Sequence, residues 1–133
     1  MATAQQICDH LNATIDGFDG AAFGALFRED GKWQFGNNPL LDGREAVTAT
    51  CSGFFSSIKA LRHFDVTVSG TDKDDTFVAN GLVEYTRHSG STLVVPWCNI
   101  IQLGQPIAAT DPAKPNFVMY KTFVDVSKLY AEE

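Results

Sequence analysis

Three side chains in the middle of the sequence could move protons: His63, Glu84 and His88. An imidazole exchanges a proton near neutral pH, so it can act as an acid or as a base. A carboxylate reaches the same range when a dry pocket raises its pKa, because burial disfavours the charged form. The sequence therefore contains the residue types for acid-base catalysis, provided that they face an apolar pocket.

Strand alternation decides which way Glu84 and His88 point, because successive side chains of a strand lie on opposite faces. Both residues share one face with Leu82 and Thr86. That face lines either a pocket or the solvent, and for Glu84 we keep both alternatives. His88 directly precedes the Ser89-Gly90 turn, where a solvated histidine is the alternative to a catalytic one.

His63 opens a stretch in which Phe64, Val66 and Val68 form the apolar face. By alternation His63 lies on the other face, with Asp65, and is a surface or interface residue. A β-bulge at the start of this strand would reverse its direction. A catalytic role for His63 thus depends on a bulge.

Polar atoms also stand among apolar neighbours on the last two predicted strands. Asn99 is the only amide on a face that it shares with Val95 and Trp97, and a buried amide must bind either a neighbour or a ligand. Tyr120 and Thr122 lie on the more apolar face of the final strand. We expect all five side chains to line a substrate pocket.

Three aromatic rings complete the expected pocket. Trp33 and Phe35 share a face, because Lys32-Trp33-Gln34-Phe35 alternates polar and aromatic residues as a half-buried strand does. Phe54 belongs to the apolar stripe of a predicted helix. In a fold with a cavity such rings fill the core, contact the ligand, or do both.

Three helices are predicted in the first half of the chain. Ile7, Leu11 and Ile15 recur at every fourth position, which is typical of a helix over Thr3–Ile15. Asp19 is the predicted N-cap of a second, short helix. Asp42-Gly43-Arg44-Glu45 matches a capping box for the third helix. Its apolar stripe is Val47, Cys51, Phe54, Phe55, Ile58 and Leu61.

The rest of the chain favours strands. They are predicted at about His63–Val68, Thr76–Arg87, Ser91–Leu103 and Asn116–Val126. Short turns between consecutive strands permit only antiparallel pairing. Helices followed by a four-strand meander predict one α+β domain over residues 1–133, with three N-terminal helices packed on a curved antiparallel sheet around an apolar pocket. The 105–115 loop is long enough to be a lid or a contact surface.

Composition excludes several classes of function. The net charge is −6 and no basic run occurs, so nucleic acid and anionic membranes are poor partners. No apolar stretch is long enough for a membrane span, and no secretory signal is visible, which predicts a cytoplasmic location. Cys8, Cys51 and Cys98 form no Cys-x-x-Cys pair, so we expect buried thiols and no bound metal.

The order of three motifs is similar to the SnoaL-like branch of the nuclear transport factor two-like superfamily. They are Phe27-Arg28-Glu29-Asp30-Gly31-Lys32-Trp33, Asp42-Gly43-Arg44-Glu45-Ala46, and Tyr120-Lys121-Thr122-Phe123-Val124-Asp125. The resemblance covers nearly the whole chain. It implies a cystatin-like α+β barrel whose cone-shaped cavity serves relatives as polyketide cyclases, ketosteroid isomerases, epoxide hydrolases, scytalone dehydratases or binding modules. It therefore implies a fold and not one reaction.

Residue by residue, the resemblance separates these activities. Thr122 resembles the position of the catalytic Asp in the cyclases and epoxide hydrolases. Trp33 and Phe35 fall where limonene-type epoxide hydrolases place a water-holding Tyr and Asn. Leu11, with Phe35 or Gln34, falls where ketosteroid isomerases place their Tyr and Asp. These substitutions argue against those particular reactions.

The likeness to scytalone dehydratase goes further. His63-Phe64 resembles its His-Phe pair, His88 falls on its second catalytic His, and Asp16 lies near its helix-borne Asp, so Asp16 joins the expected substrate-binding residues. Its two water-holding Tyr residues correspond to Ile15 and Phe35. The resemblance thus covers half of that site.

Two functional hypotheses follow. The first is a cofactor-independent cyclase, dehydratase or isomerase that transfers protons on a small apolar, polyketide- or terpenoid-like substrate of secondary metabolism. The second is a non-catalytic small-molecule-binding or dimerisation module, which the absent carboxylate at Thr122 favours. The resemblance also implies a homodimer that associates through its sheet.

Overall fold

The computed structural model describes residues 1–131. Its elements are α1 (Ala4–Asp16), α2 (Gly20–Gly24), β1 (Phe27–Phe35), β2 (Leu41–Asp42), α3 (Arg44–Ser56), β3 (Ala60–Gly70), β4 (Thr76–Thr86), β5 (Thr92–Leu103), a 3₁₀ turn (Ile107–Ala109) and β6 (Phe117–Val124). The predicted α+β class, with three helices packed on a sheet, is confirmed. Within the described residues no helix is long and apolar enough to cross a membrane.

The sheet has six strands in the order β2-β1-β6-β5-β4-β3. The meander from β3 to β6 is antiparallel, as the short turns predict. However, β1 pairs in parallel with β6, so the complete sheet is mixed. This pairing escaped prediction because the rule applied to consecutive strands, whereas β1 and β6 are joined by most of the chain and can meet in either direction.

Two of the helix starts follow from side-chain caps. At α1, Thr3 and Gln6 form a reciprocal capping box, and at α2 the Asp19 carboxylate accepts bonds from two first-turn amides, as predicted. The predicted capping box of α3 is wrong. Its N-cap is Gly43, which has no side-chain bond, because Asp42 lies in β2 and its carboxylate instead accepts from Lys32 Nζ at 2.6 Å.

A β-bulge interrupts the pairing of β3 with β4. Phe64 pairs with Leu82 and Thr67 pairs with Asn80, so two residues of β3 lie opposite Gly81 alone. Asp65, inside the bulge, has a φ of +53°, in the left-handed region. A Cβ on Gly81 would lie 2.9 Å from the Phe64 carbonyl oxygen, so the bulge requires glycine there.

The bulge changes which side chains of β3 face the helices. Before it, Leu61 and His63 point inward; after it, Val66 and Val68 pack against the same core. Phe64 turns outward, where the Arg62 guanidinium lies 4.5 Å from its ring centroid. A bulge therefore brings His63 to the inner face. This bulge begins at Asp65, two residues after the expected strand start at His63.

Candidate functional site

A cavity lies between the helices and the inner face of the sheet. Its walls combine aromatic rings with a few polar groups: Ile15, Phe23, Trp33, Phe35, Cys51, Phe54, Phe55, Leu61, His63, Val83, Tyr85, Trp97, Asn99, Tyr120, Thr122 and Val124. The cavity volume is about 50 Å³. This is room for about four water molecules, or roughly one six-membered ring.

At the cavity wall the side chain of His63 is hydrogen-bonded to the carboxylate of Asp16. His63 Nδ1 lies 2.7 Å from Asp16 Oδ1, and the His63 backbone N–H also donates to the carboxylate, at 3.2 and 3.3 Å. The His63 side chain is 10% exposed and that of Asp16 is 29% exposed. Because a carboxylate only accepts, Nδ1 carries the proton and Nε2 is the ring nitrogen that can take up another.

The position of Asp16 is unfavourable for the helix that carries it. It is the last residue of α1, where the helix dipole repels a negative charge. The bonds to His63 compensate, because they place a donor, and on protonation a positive charge, beside the carboxylate. A local rule broken in this way is typical of functional sites.

Trp97 packs against His63 from the sheet. The two ring centroids are 5.3 Å apart with an interplanar angle of 81°, an edge-to-face contact. The imidazole is thereby held between a carboxylate and an indole. Its orientation is defined by a hydrogen bond on one side and by packing on the other.

The floor of the cavity carries two further hydrogen bonds. Trp33 Nε1 donates to Thr122 Oγ1 at 3.0 Å, and Asn99 Nδ2 donates to the Tyr120 hydroxyl, also at 3.0 Å. Complete burial raises the pKa of Tyr120 well above its ordinary value, so this hydroxyl stays neutral. The amide of Asn99 thus binds a neighbour with one of its two polar atoms.

Two polar atoms of the cavity walls remain without a partner among the described residues. They are the indole N–H of Trp97 and Oδ1 of Asn99, and both are buried. An unmade hydrogen bond on a buried polar group costs about 1–3 kcal/mol. The two residues that carry this donor and this acceptor occupy adjacent inward positions of β5 and both belong to the cavity walls.

Glu84, one of the three candidate catalytic residues, does not line the cavity; of the two alternatives predicted for it, the structure has the solvent-facing one. Its neighbours Val83 and Tyr85 are the buried residues of this part of β4, and alternation places Glu84 on the outer face. There it lies opposite Arg62, with 3.8 Å between Oε1 and Nη2. His88, a second candidate catalytic residue, also lies outside the cavity walls and is the exposed histidine of its two alternatives: it follows the end of β4, and its Nε2 lies 3.0 Å from the Ser56 carbonyl oxygen.

Most of the predicted substrate-binding residues do line the cavity: Trp33, Phe35, Phe54, Trp97, Asn99, Tyr120 and Thr122. Two do not. Val95 shares the inner face but lies outside the walls, and Asp16 contacts His63 rather than the cavity. Cys98, expected to be buried, is half-exposed.

Sequence reasoning missed eight of the wall residues: Ile15, Phe23, Cys51, Phe55, Leu61, Val83, Tyr85 and Val124. All are apolar or weakly polar, and several belong to the predicted helix stripes. Their spacing indicates that they face the interior. It contains no signal that separates the wall of a cavity from solid core.

Comparisons with known proteins place this geometry in context. A family model described as SnoaL-like domain matches residues 1–100. No curated protein sequence matches the chain.

Several solved structures share the fold. A proposed isomerase from Bacillus subtilis has a TM-score of 0.75 at 16% identity, covering 97% of this chain and 94% of that chain. A proposed polyketide cyclase from Xanthomonas campestris has a TM-score of 0.72 at 16% identity, covering 94% of both chains. A protein of ketosteroid isomerase-like fold from Catenulispora acidiphila, solved with trimethylamine, has a TM-score of 0.71 at 16% identity, covering 94% and 89%. Identities this low support the shared fold alone.

Proposed function

Because the chain belongs to the SnoaL-like domain family, we propose that it is a cofactor-independent isomerase, dehydratase or cyclase that moves a proton on a small apolar substrate. Neighbours of the same fold are described as an isomerase and a polyketide cyclase. The apolar walls favour a polyketide- or terpenoid-like molecule. Homodimer formation and a cytoplasmic location remain predictions.

The observation that carries this proposal is the His63–Asp16 pair at the cavity wall, with 2.7 Å between Nδ1 and Oδ1. His63 Nε2 takes a proton from a carbon next to a carbonyl group, or from a hydroxyl, and later returns it to another position of the same molecule. Asp16 holds the ring in one tautomer and stabilises the imidazolium that forms between the two steps. Asp16 is thus a positioning residue.

When the proton leaves carbon, the electron pair of the broken C–H bond moves onto the carbonyl oxygen; when it leaves a hydroxyl, the pair stays on that oxygen. In both cases the substrate oxygen becomes negatively charged. Hydrogen-bond donors that await this charge lower the barrier, because their orientation is already fixed. The unpaired indole N–H of Trp97, next to His63, is the candidate donor. Asn99 Oδ1 accepts from a hydroxyl elsewhere on the same substrate.

Hydrogen-deuterium exchange on a small enolisable ketone tests the proton transfer without knowledge of the natural substrate. The protein is incubated with cyclohexanone, whose single ring matches the size of the cavity, in D₂O, and the loss of the α-proton signal is followed by NMR. We expect H63Q to slow the exchange by about 10²–10⁴-fold, which is the usual contribution of a general base. D16N should lie between H63Q and the parent, and its pH-rate profile should shift, because the carboxylate acts through the imidazole.

The matched control is H10Q, because His10 lies on the exposed side of α1. Its exchange rate should equal that of the parent. Exchange that survives in H63Q would remove His63 as the base. A parent rate no faster than free imidazole at the same concentration would favour the alternative, a binding module, which the hydroxyl of Thr122 at the position of the cyclase carboxylate also supports.

A further inference from the structure

A second apolar space adjoins the cavity, and we call it the outer groove. Its walls are Trp33, Phe35, Asn38, Pro39, Leu41, Thr50, Gly53, Phe54, Ser57, Val126 and Tyr130, and its volume is about 650 Å³. Three of these residues, Trp33, Phe35 and Phe54, also line the inner cavity. The two spaces are therefore neighbours that share aromatic side chains as their common wall.

The two spaces differ in volume. The inner cavity, at about 50 Å³, holds about one ring. Pockets that bind whole small molecules usually measure about 300–1,000 Å³. The inner cavity presents His63 and Asn99 in about 50 Å³, and the outer groove, which is open to solvent, adds about 650 Å³ of mainly apolar space beside it.

Phe35 and Phe54 are the partly exposed members of the common wall, whereas Trp33 is buried. The rings of Phe35 and Phe54 lie 5.5 Å apart at 45°, and both residues are only half-buried. Phe54 belongs to the last turn of α3. These two rings are therefore the part of the wall whose displacement would join the two spaces.

Gly53 lines the outer groove from an exposed position of α3. A Cβ at this position would meet no atom of the described chain within 4 Å. By contrast, a Cβ on Gly20 or Gly24 would collide with Ser52 or Thr48 of α3, so those glycines are needed for close packing. Glycine inside a helix costs about 1 kcal/mol relative to alanine. At Gly53, by contrast, a larger side chain could extend into the groove without colliding with the described chain.

The far side of the groove is closed by the C-terminal turn. The Tyr130 hydroxyl lies 3.1 Å from Ser57 Oγ, on α3's side of the groove. Arg87 holds the preceding turn in place by donating to the carbonyl oxygens of Lys128 and Leu129, at 2.9 and 3.1 Å. The groove thus has a second wall, formed by Tyr130 and the turn before it.

From this continuity we propose that the ligand has two parts. An oxygen-bearing ring occupies the inner cavity, and an apolar extension passes Phe54 into the outer groove. This inference rests on the proposed function for the identity of the ligand as substrate. Its test is a binding measurement, so the outcome does not depend on proton transfer.

The test uses 4-alkylphenols from methyl to hexyl, which combine an oxygen-bearing ring with an extension of adjustable length and are not turned over by proton transfer. Isothermal titration calorimetry measures their affinity for the parent and for two variants. In the parent, affinity should rise by at least about tenfold from methyl to butyl, because each buried methylene adds up to about fourfold. G53L, which fills the groove, should bind 4-methylphenol as the parent does and lose the dependence on length.

The matched control is A49F, which adds a large side chain at an exposed position of the same helix outside the outer groove and should retain the full dependence on length. T50F, a second groove-filling change at an exposed position of the same helix, should behave like G53L. An affinity independent of length in the parent, no binding of any alkylphenol, or an unchanged slope in both filled variants would overturn the proposal. If this series behaves as expected while H63Q still exchanges protons, only the proposed function fails.

Discussion

The closed end and the mouth of the cavity are both built from aromatic residues, but the rings are packed more tightly at the closed end than at the mouth. At the closed end Phe23, Phe27, Phe117 and Tyr120 are almost completely buried and meet in edge-to-face or stacked pairs 5.2–5.8 Å apart. At the mouth Phe35 and Phe54 are half-buried, and Tyr130 is exposed. Aromatic content therefore does not identify a binding site. What identifies it is the unfinished packing of the rings.

The largest effect that would test this contrast is on stability. F27A should lower the free energy of unfolding by about 3–5 kcal/mol, because it leaves a hole among fully buried rings. F54A should cost only about 1–2 kcal/mol, because part of that ring is already in water. Urea unfolding of both variants measures the difference. Equal losses would mean that the mouth is packed as tightly as the closed end.

A smaller effect is expected at the bulge that brings His63 to the inner cavity. G81A should cost about 1–3 kcal/mol, because the new Cβ would press on the Phe64 and Asp65 carbonyl oxygens at 2.9 and 3.0 Å. It should also slow proton exchange by moving His63 away from Asp16. Urea unfolding and the exchange assay measure the two effects. G70A is the control on the same hairpin, since a Cβ at Gly70 meets nothing within 4 Å of the described chain.

The last prediction concerns the pH dependence of the free energy of unfolding, which the buried thiols of Cys8 and Cys51 should affect. Burial raises the pKa of the Cys8 and Cys51 thiols from 9.0 to about 12. Below pH 9 both thiols are protonated in the folded and unfolded chains, and this contribution to stability is complete. As the pH rises from 9 toward 12 the unfolded chain loses these protons first, so the free energy of unfolding should fall by up to about 1.4 kcal/mol per pH unit per thiol.

Urea midpoints between pH 7.5 and 10, under reducing conditions, measure this slope. C51A should reduce the slope by about half between pH 9 and 10, where tyrosines still contribute little. A slope that is unchanged in C51A would show that its thiol is reached by water from the mouth.

Much of the architecture was predictable because it depends on local chemistry. The stripe of Ile7, Leu11 and Ile15 predicted α1, and the Asp19 carboxylate predicted the start of α2. Short turns predicted the antiparallel meander. Prediction failed at Asp42, where Lys32, ten residues away in the chain, took the carboxylate that the local pattern assigned to a helix cap. It failed in the same way for the parallel pairing of β1 with β6.

In the candidate site, too, local features were predictable from the sequence and long-range features were not. The sequence by itself determined that His63, Asp16, Asn99 and Trp97 are present and that their strands and helices have apolar inner faces. Only the tertiary structure decided that His63 faces inward and Glu84 outward, because a two-residue bulge opposite Gly81 changes the alternation on one strand and leaves it intact on the next. The direction of a strand side chain depends on the register with its neighbour, which is a long-range property. Whether inward-facing rings close a core or leave a cavity depends in turn on how all the elements pack together.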